Sequence, residues 1–401
     1  MQREWSHRHQ WKWTVGRLWI VGLVLLVAAS AGVAETPSGL ARCEPAECGL
    51  SAARLAAIDR VVEEGLRYER MPGCVVLVGY KGRIPLLKSY GSRQIKPETV
   101  TMTTDTVFDL ASLTKPIATA TSVMLLIEDG LIELDAPASR YVPEFTGHGK
   151  ELITIRQLLT HQSGLLPDNS IKDYGDGRDE AFRRIHALDL RAEPGTQFMY
   201  SDVGFIVLGE VVERVSGKSL DQFSRERIFE PLGMTATGFN PAAELKRRAA
   251  PTQERNGEWM RGEVHDPRAY LLGGVAGHAG LFSTAEDLAR YAQMLLNDGV
   301  LGETRILKPE TCRLMQSSQQ LASGLRTLGW DRQTGYSSNR GDLFSDNAFG
   351  HGGFTGTALW IDPGLEMFVV FLSNRVHPDG QGSVNPLAGR IGTIAAAAIR
   401  E

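Results

Sequence analysis

Apolar side chains at Leu55, Ile58, Val62 and Leu66 recur at helical spacing in "SAARLAAIDRVVEEGLRY", residues 51 to 68. The pattern predicts a helix with Ser51 as its N-cap. Residues 74 to 91, "CVVLVGYKGRIPLLKSYG", then switch to two apolar runs around Lys81-Gly82, which predicts a β-hairpin. A second strand pair is predicted near the C-terminus. There "TALWIDPGLEMFVVFLSN" breaks at Asp362-Pro363-Gly364, a strong turn signal. The long middle, residues 112 to 320, reads mostly as helices and loops. Strands at both ends with helices between them predict a single mixed sheet built from both chain ends, with a helical region inserted.

The run "IATATSVMLLIEDG", residues 117 to 130, is apolar around most of a helical circumference and stops at Gly130. Such a helix must be buried, and Gly130 suits its C′ position. Pro116 fits only in a first turn, so the helix begins close to Ser112. A serine at a helix start lies near free backbone N–H groups and the positive end of the helix dipole. Residues three apart share a face, so the Lys115 ammonium can reach the Ser112 hydroxyl. The bland alternative makes Ser112 a plain cap and Lys115 a snorkelling surface lysine. The tetrapeptide does not decide between them, because about one Ser-x-x-Lys match is expected by chance in a chain this long.

Composition narrows the classes. Of 401 residues, 42% are hydrophobic and 22% charged, which allows a large globular core. The net charge of -4 implies no basic face, so nucleic acid is not an expected partner. Residues 1 to 34 stand apart. Arg3, Arg8, Lys12 and Arg17 precede an uncharged run from Leu18 to Ala34 that ends in small residues. This reads as a secretory signal cleaved after Ala34, or as an N-terminal membrane anchor with interfacial Trp11, Trp13 and Trp19. Either reading places the rest of the chain outside the cytoplasm, periplasmic or extracellular, with residues 35 to 49 as a linker and 50 to 401 as the globular domain. In an exported segment Cys43 and Cys48 can pair, Cys74 reads as a small buried hydrophobe, and Cys312 carries no signal. No metal motif occurs, and no metal or other cofactor is expected.

A serine nucleophile needs a base, an oxyanion pocket and a held geometry. Two later stretches offer them. Tyr200-Ser201-Asp202 stands at the entrance of an apolar helix in "MYSDVGFIVLGEVVERVSG". His351-Gly352-Gly353 runs into the first strand of the C-terminal pair, where glycines let a substrate backbone come close. Two rival matches are set aside. Tyr174-Gly175-Asp176 lies in a polar stretch and reads as a surface turn. His278-Ala279-Gly280 leads into Ser283-Thr284-Ala285-Glu286, a capping box, and His278, like His161, reads as a structural residue beside the pocket or core.

The order Ser-x-x-Lys, Tyr-x-Asp, His-x-Gly resembles the serine β-lactamase and penicillin-binding protein superfamily, most of all its class C β-lactamase-like branch. "FDLASLTK", "ITIRQLLTHQSGL", "EPGTQFMYSD", "IFEPLGM" and "GGVAGHAGLFSTAEDLARYAQMLL" carry the resemblance over roughly residues 50 to 400. It implies the β-lactamase/transpeptidase-like α/β (α+β) fold, an antiparallel sheet flanked by helices. It implies that Ser112 is the acylated nucleophile, that Lys115 keeps the network electrostatically poised, and that Tyr200 is general base and acid. The oxyanion hole would be the backbone N–H groups of Ser112 and of Phe354, the residue after Gly353. Two positions depart from the family pattern. Asp202 replaces the usual asparagine and should pair with Lys115, keeping it protonated. His351 replaces the usual lysine and, mostly neutral, grips a substrate carboxylate less firmly. Both departures point away from efficient β-lactam hydrolysis. The expected activity is an exported serine acyl-hydrolase acting on an ester or a D-amino-acid peptide, its substrate a small molecule or a peptidoglycan-derived acyl group. A class C-type β-lactamase and a non-catalytic binder of cell-wall fragments are the alternatives. A Ser-His-Asp hydrolase lacks its Gly-x-Ser-x-Gly elbow here.

Overall fold

The computed structural model describes residues 39–400, so the expected signal or anchor at 1 to 34 lies outside the described residues. The segment expected as a linker is part of the fold from residue 39. Leu40 is buried in the main core, Arg42 bridges to Ile84, and Cys43 and Cys48 form a disulfide. The predicted first helix is two: α1, Ala52–Leu55, and α2, Ala57–Arg67, with the Ser51 hydroxyl accepting the Arg54 N–H at 3.4 Å. Both keep the predicted stripe inward, with Leu55, Ile58 and Val62 buried.

Nine strands form one antiparallel sheet. They are β1 (Gly73–Tyr80), β2 (Arg83–Gln94), β3 (Val100–Thr101), β4 (Gln319–Gln320), β5 (Leu325–Arg326), β6 (Asp331–Gln333), β7 (Phe349–Gly353), β8 (Thr357–Asp362) and β9 (Met367–Ser373). Their order is β4-β5-β6-β7-β8-β9-β1-β2-β3. The β1–β2 hairpin turns through Lys81 and Gly82 at φ 47° and 73°, the two left-handed residues that a tight hairpin turn of matching twist requires. β1 pairs with β9, Cys74 opposite Ser373, so the two ends of the chain meet in the middle of the sheet.

Every residue of β1 is buried, because both faces of the sheet are covered. Val75 and Leu77 face the main core, which the inserted helical region supplies. That region includes α3 (Thr121–Glu128), α4 (Asp202–Ser216) and α5 (Ala285–Leu296). Cys74, Val76 and Val78 face a second core closed by α2 and by α6 (Asn385–Ala397), with Ile58, Val62 and Ile391 fully buried there. The side-chain alternation of one apolar strand thus serves two layers.

Three local expectations are corrected. Ser283 does not begin α5; it ends a short strand, Leu281–Ser283, paired with Phe108–Asp109, and Thr284 is the cap. Tyr174 is not in a surface turn but 1% exposed, its hydroxyl donating to Asn169 Oδ1 at 2.6 Å. The polar letters around it hid one inward aromatic. The segment after Ser112 is helical but not α from its start. Ala111–Leu113 is a 3₁₀ turn and Lys115–Ala120 a π-helical stretch, in which Pro116, lacking an N–H, sits next to the start. Gly130 closes α3 with the paired hydrogen bonds of a Schellman motif, Leu131 N–H to Leu126 O and Gly130 N–H to Ile127 O.

Candidate active site

Ser112 sits in the turn between the Phe108–Asp109 strand and the π-helical stretch. Ala111 before it has φ 46°, unusual for a residue with a side chain. The turn is pinned from behind. Thr114 Oγ1 donates to Ala111 O at 2.6 Å and accepts the Leu281 N–H at 3.1 Å. Lys115, one helical step on, is fully buried. Its ammonium donates to Ser112 Oγ at 2.9 Å and to His278 O at 3.1 Å, and it meets Asp202 Oδ1 at 2.6 Å. A buried lysine would ordinarily lose its proton. Burial is the largest influence and does pull in that direction, but the Asp202 carboxylate and the Tyr200 phenol outweigh it and hold Lys115 above the usual lysine value. Lys115 is therefore a fixed cation. The anticipated Lys115–Asp202 ion pair is present.

Tyr200-Ser201-Asp202 enters α4 as predicted. Ser201 caps the helix, its hydroxyl accepting the Gly204 N–H at 3.0 Å and donating to Leu166 O at 2.8 Å. The Tyr200 ring is held between two others, His161 at 4.4 Å and Tyr336 at 4.9 Å between centroids, with Lys115 Nζ 5.0 Å from its own centroid. Burial, first, and Asp202 raise the phenol above its ordinary value, while Lys115 and hydrogen bonds to Lys115 and Ser112 pull it back. His161 is buried beneath, its Nδ1 accepting the Ser201 N–H at 3.0 Å.

His351 and the two glycines lie on β7, facing the same cleft. His351 is 6% exposed, with its ring 5.9 Å from that of Tyr200. Burial, then the nearby Arg326 and Lys115 cations, hold it well below the usual histidine value, so it is neutral. Gly353 is required by space, and Gly352 leaves room for a side-chain end. A Cβ on Gly353 would lie 2.3 Å from Leu110 O and 2.2 Å from Thr357 Oγ1; one on Gly352 would lie 2.3 Å from Asn339 Nδ2. Only bare backbone at Gly353 lets β7 approach the turn that carries Ser112. Phe354 follows, lining the cleft and 60% exposed, its ring stacked on His265 at 5.5 Å with Arg375 at 4.6 Å.

The residues expected at the site thus converge on one cleft of about 710 Å³. Several groups there had no sequence signal of their own. Asp168 and Asp266 add carboxylates beside Asp202. His278, read from the sequence as a structural residue beside the pocket or core, lines the wall with its Nε2 2.9 Å from Asp266 Oδ1. The loops at 167 to 180 and 250 to 275 supply Asp168, His265 and Asp266 to it. Arg326 is fully buried, with Asp331 3.7 Å away. An arginine inside β5 could be suspected only from the charge it would strand in an apolar strand. Asp202, Asp266 and His278 present ligand atoms within 4.8 Å of one another, but Lys115 and the His278–Asp266 bond already engage these groups.

A serine hydroxyl, a fixed ammonium and a clamped phenol in a cleft between an antiparallel sheet and a helical region define a serine hydrolase of the acyl-transfer type. The Beta-lactamase family model matches residues 58–392, and the chain belongs to that family. It is 32% identical over 402 residues to the Escherichia coli (strain K12) protein named "Putative D-alanyl-D-alanine carboxypeptidase", covering 90% of this chain and 92% of that one. It is equally 32% identical over 364 residues to the "N-acetylmuramyl-L-alanine amidase" of Bacillus subtilis (strain 168), covering 82% of each. Among solved structures, a class C beta-lactamase superposes with a TM-score of 0.71 at 19% identity, over 88% of this chain and 98% of that one.

Proposed function

We propose that the protein is an exported serine acyl-hydrolase that forms and hydrolyses an ester on Ser112. Its substrates are peptidoglycan-derived peptides with a D-amino-acid or alanyl amide, or simple esters. The observation that carries this reading is the buried Lys115 ammonium joining Ser112 Oγ at 2.9 Å to Asp202 Oδ1 at 2.6 Å under the Tyr200 ring. Such a cation stabilises tyrosinate, which takes the Ser112 proton as Oγ attacks the carbonyl. The phenol returns the proton to the leaving amine or alkoxide. The Ser112 and Phe354 N–H groups face the developing oxyanion. A water then repeats the sequence and frees Ser112. Since Tyr200 is held above its ordinary value, the reactive tyrosinate form is a minority near neutrality, and the acylation rate should climb with pH through the alkaline range.

Names of both relatives denote cleavage of an alanyl amide, which supports the peptide reading. Asp168, Asp202 and Asp266 repel the carboxylate that a penicillin or the free end of a D-alanyl peptide presents, which favours an ester or an amide without a terminal carboxylate. Export rests on the leader of residues 1 to 34, read as a cleaved signal or a membrane anchor. The test is a turnover panel of p-nitrophenyl esters, D-Ala-D-Ala peptides, a muramyl-L-alanine amide and a chromogenic cephalosporin, with the adduct mapped by mass spectrometry. A Ser112 adduct, lost with Ser112→Ala along with about 10⁴-fold or more of the rate, is expected. Fragment binding without turnover, unchanged in Ser112→Ala, would instead favour the non-catalytic binder.

A further inference from the structure

Hydrogen bonds around Ser112 close into a ring, and Asp109 completes it. Its side chain is 3% exposed; Oδ1 accepts the Ala111 N–H at 2.8 Å and Oδ2 the His265 N–H at 2.7 Å. Ala111 leads to Ser112, which Lys115 joins to His278 O; the His278 ring meets Asp266, and Asp266 follows His265. Asp109 O in turn accepts Thr355 Oγ1 at 2.7 Å, next to Phe354. One carboxylate therefore ties together the nucleophile's turn and the loop bearing Asp266. Ala111 keeps a left-handed φ of 46°, a conformation unfavourable for a residue with a side chain.

We propose that Asp109 is a positioning residue whose carboxylate holds Ala111 in its left-handed conformation and so aims the Ser112 hydroxyl and N–H into the cleft. The inference rests on the reading of Ser112 as nucleophile. Burial, the largest influence, and Asp266 push the Asp109 carboxyl up to about 6, against the His265 and Ala111 N–H groups and Arg255, which pull it down. Once protonated, it can no longer accept both N–H groups equally, and the hold on the turn slackens.

The test compares the parent protein, Asp109→Asn, and Asp109→Asn with Ala111→Gly. The p-nitrophenolate burst from p-nitrophenyl acetate is followed from about pH 5 to 8, with the adduct mapped and thermal unfolding recorded alongside. Acylation in Asp109→Asn should fall about 30- to 100-fold with KM nearly unchanged. Below about pH 6 the parent's rate should fall more steeply than the tyrosinate dependence alone gives, an added acid limb that Asp109→Asn lacks. Glycine adopts positive φ freely, so the double variant should recover about tenfold; it is also the folded comparison if the single variant is unstable. Overturning results are Asp109→Asn acylated at the parental rate, a double variant no faster than a folded single one, or, where the single one does not fold, a double variant at the parental rate with the acid limb intact. A parent with no adduct on Ser112 overturns the nucleophile reading and this one with it, whereas the other results leave that reading standing.

Discussion

Charge in the cleft is set residue by residue. Asp202 keeps the fully buried Lys115 protonated, so Asp202→Ala strands an ammonium and should cost about 3 kcal/mol in urea unfolding. Asp202→Asn keeps an acceptor and should cost less. His161 and His351 are both buried and held neutral, well below the usual histidine value, burial being the first cause in each. The unfolded chain binds their protons below about pH 6.5 while the folded chain does not. Stability should therefore be complete above about pH 6.5 and fall as the pH drops below it, until the folded values are reached. Each contributes a slope of about 1.4 kcal/mol per pH unit. His351→Gln should remove one such slope, read as urea midpoints from about pH 5 to 7.

Elements bring these residues together, and the contact is tightest where β7 passes the turn that carries Ser112. Gly353→Ala would push a methyl group against Leu110 O and Thr357 Oγ1, both under 2.5 Å from its Cβ. Either the strand or the turn must shift, and a displacement of about 1 Å costs on the order of 100-fold in acylation rate. A burst assay on the folded variant measures it; unchanged rates would mean that the glycine is dispensable. At the mouth of α4, Ser201→Ala removes both a cap and a bond to Leu166 O. A loss of about 1 to 2 kcal/mol in thermal unfolding is expected.

Seen whole, the molecule has two cores sharing one sheet, because β1 presents Val75 and Leu77 to one and Cys74, Val76 and Val78 to the other. Trp330 reports on the first core and Trp360 on the second. Ile391→Ala on α6 should cost about 2 to 4 kcal/mol yet shift both cores together, so circular dichroism and tryptophan fluorescence should give coincident unfolding curves. Separate transitions would show that the layers fold independently. The terminal strands, their turns and the buried helix after Ser112 were legible in the sequence, because periodicity and Gly or Pro signals act over a few residues. So were Ser112, Lys115, Tyr200, Asp202, His351, Gly353 and Phe354 as candidates, since each stands in a short motif or directly beside one. The break at Ala56, the π-helical start, the inward Tyr174 and the strand ending at Ser283 were not, since neighbours far along the chain decide them. The same is true of Asp109, Asp266, Arg326 and Tyr336. Local pattern could determine which residues carry chemistry and which segments carry the fold. Only tertiary structure could decide which carboxylate meets which cation and which ring clamps which phenol, because burial and electrostatic interactions depend on distance through space, and distance along the chain does not encode it.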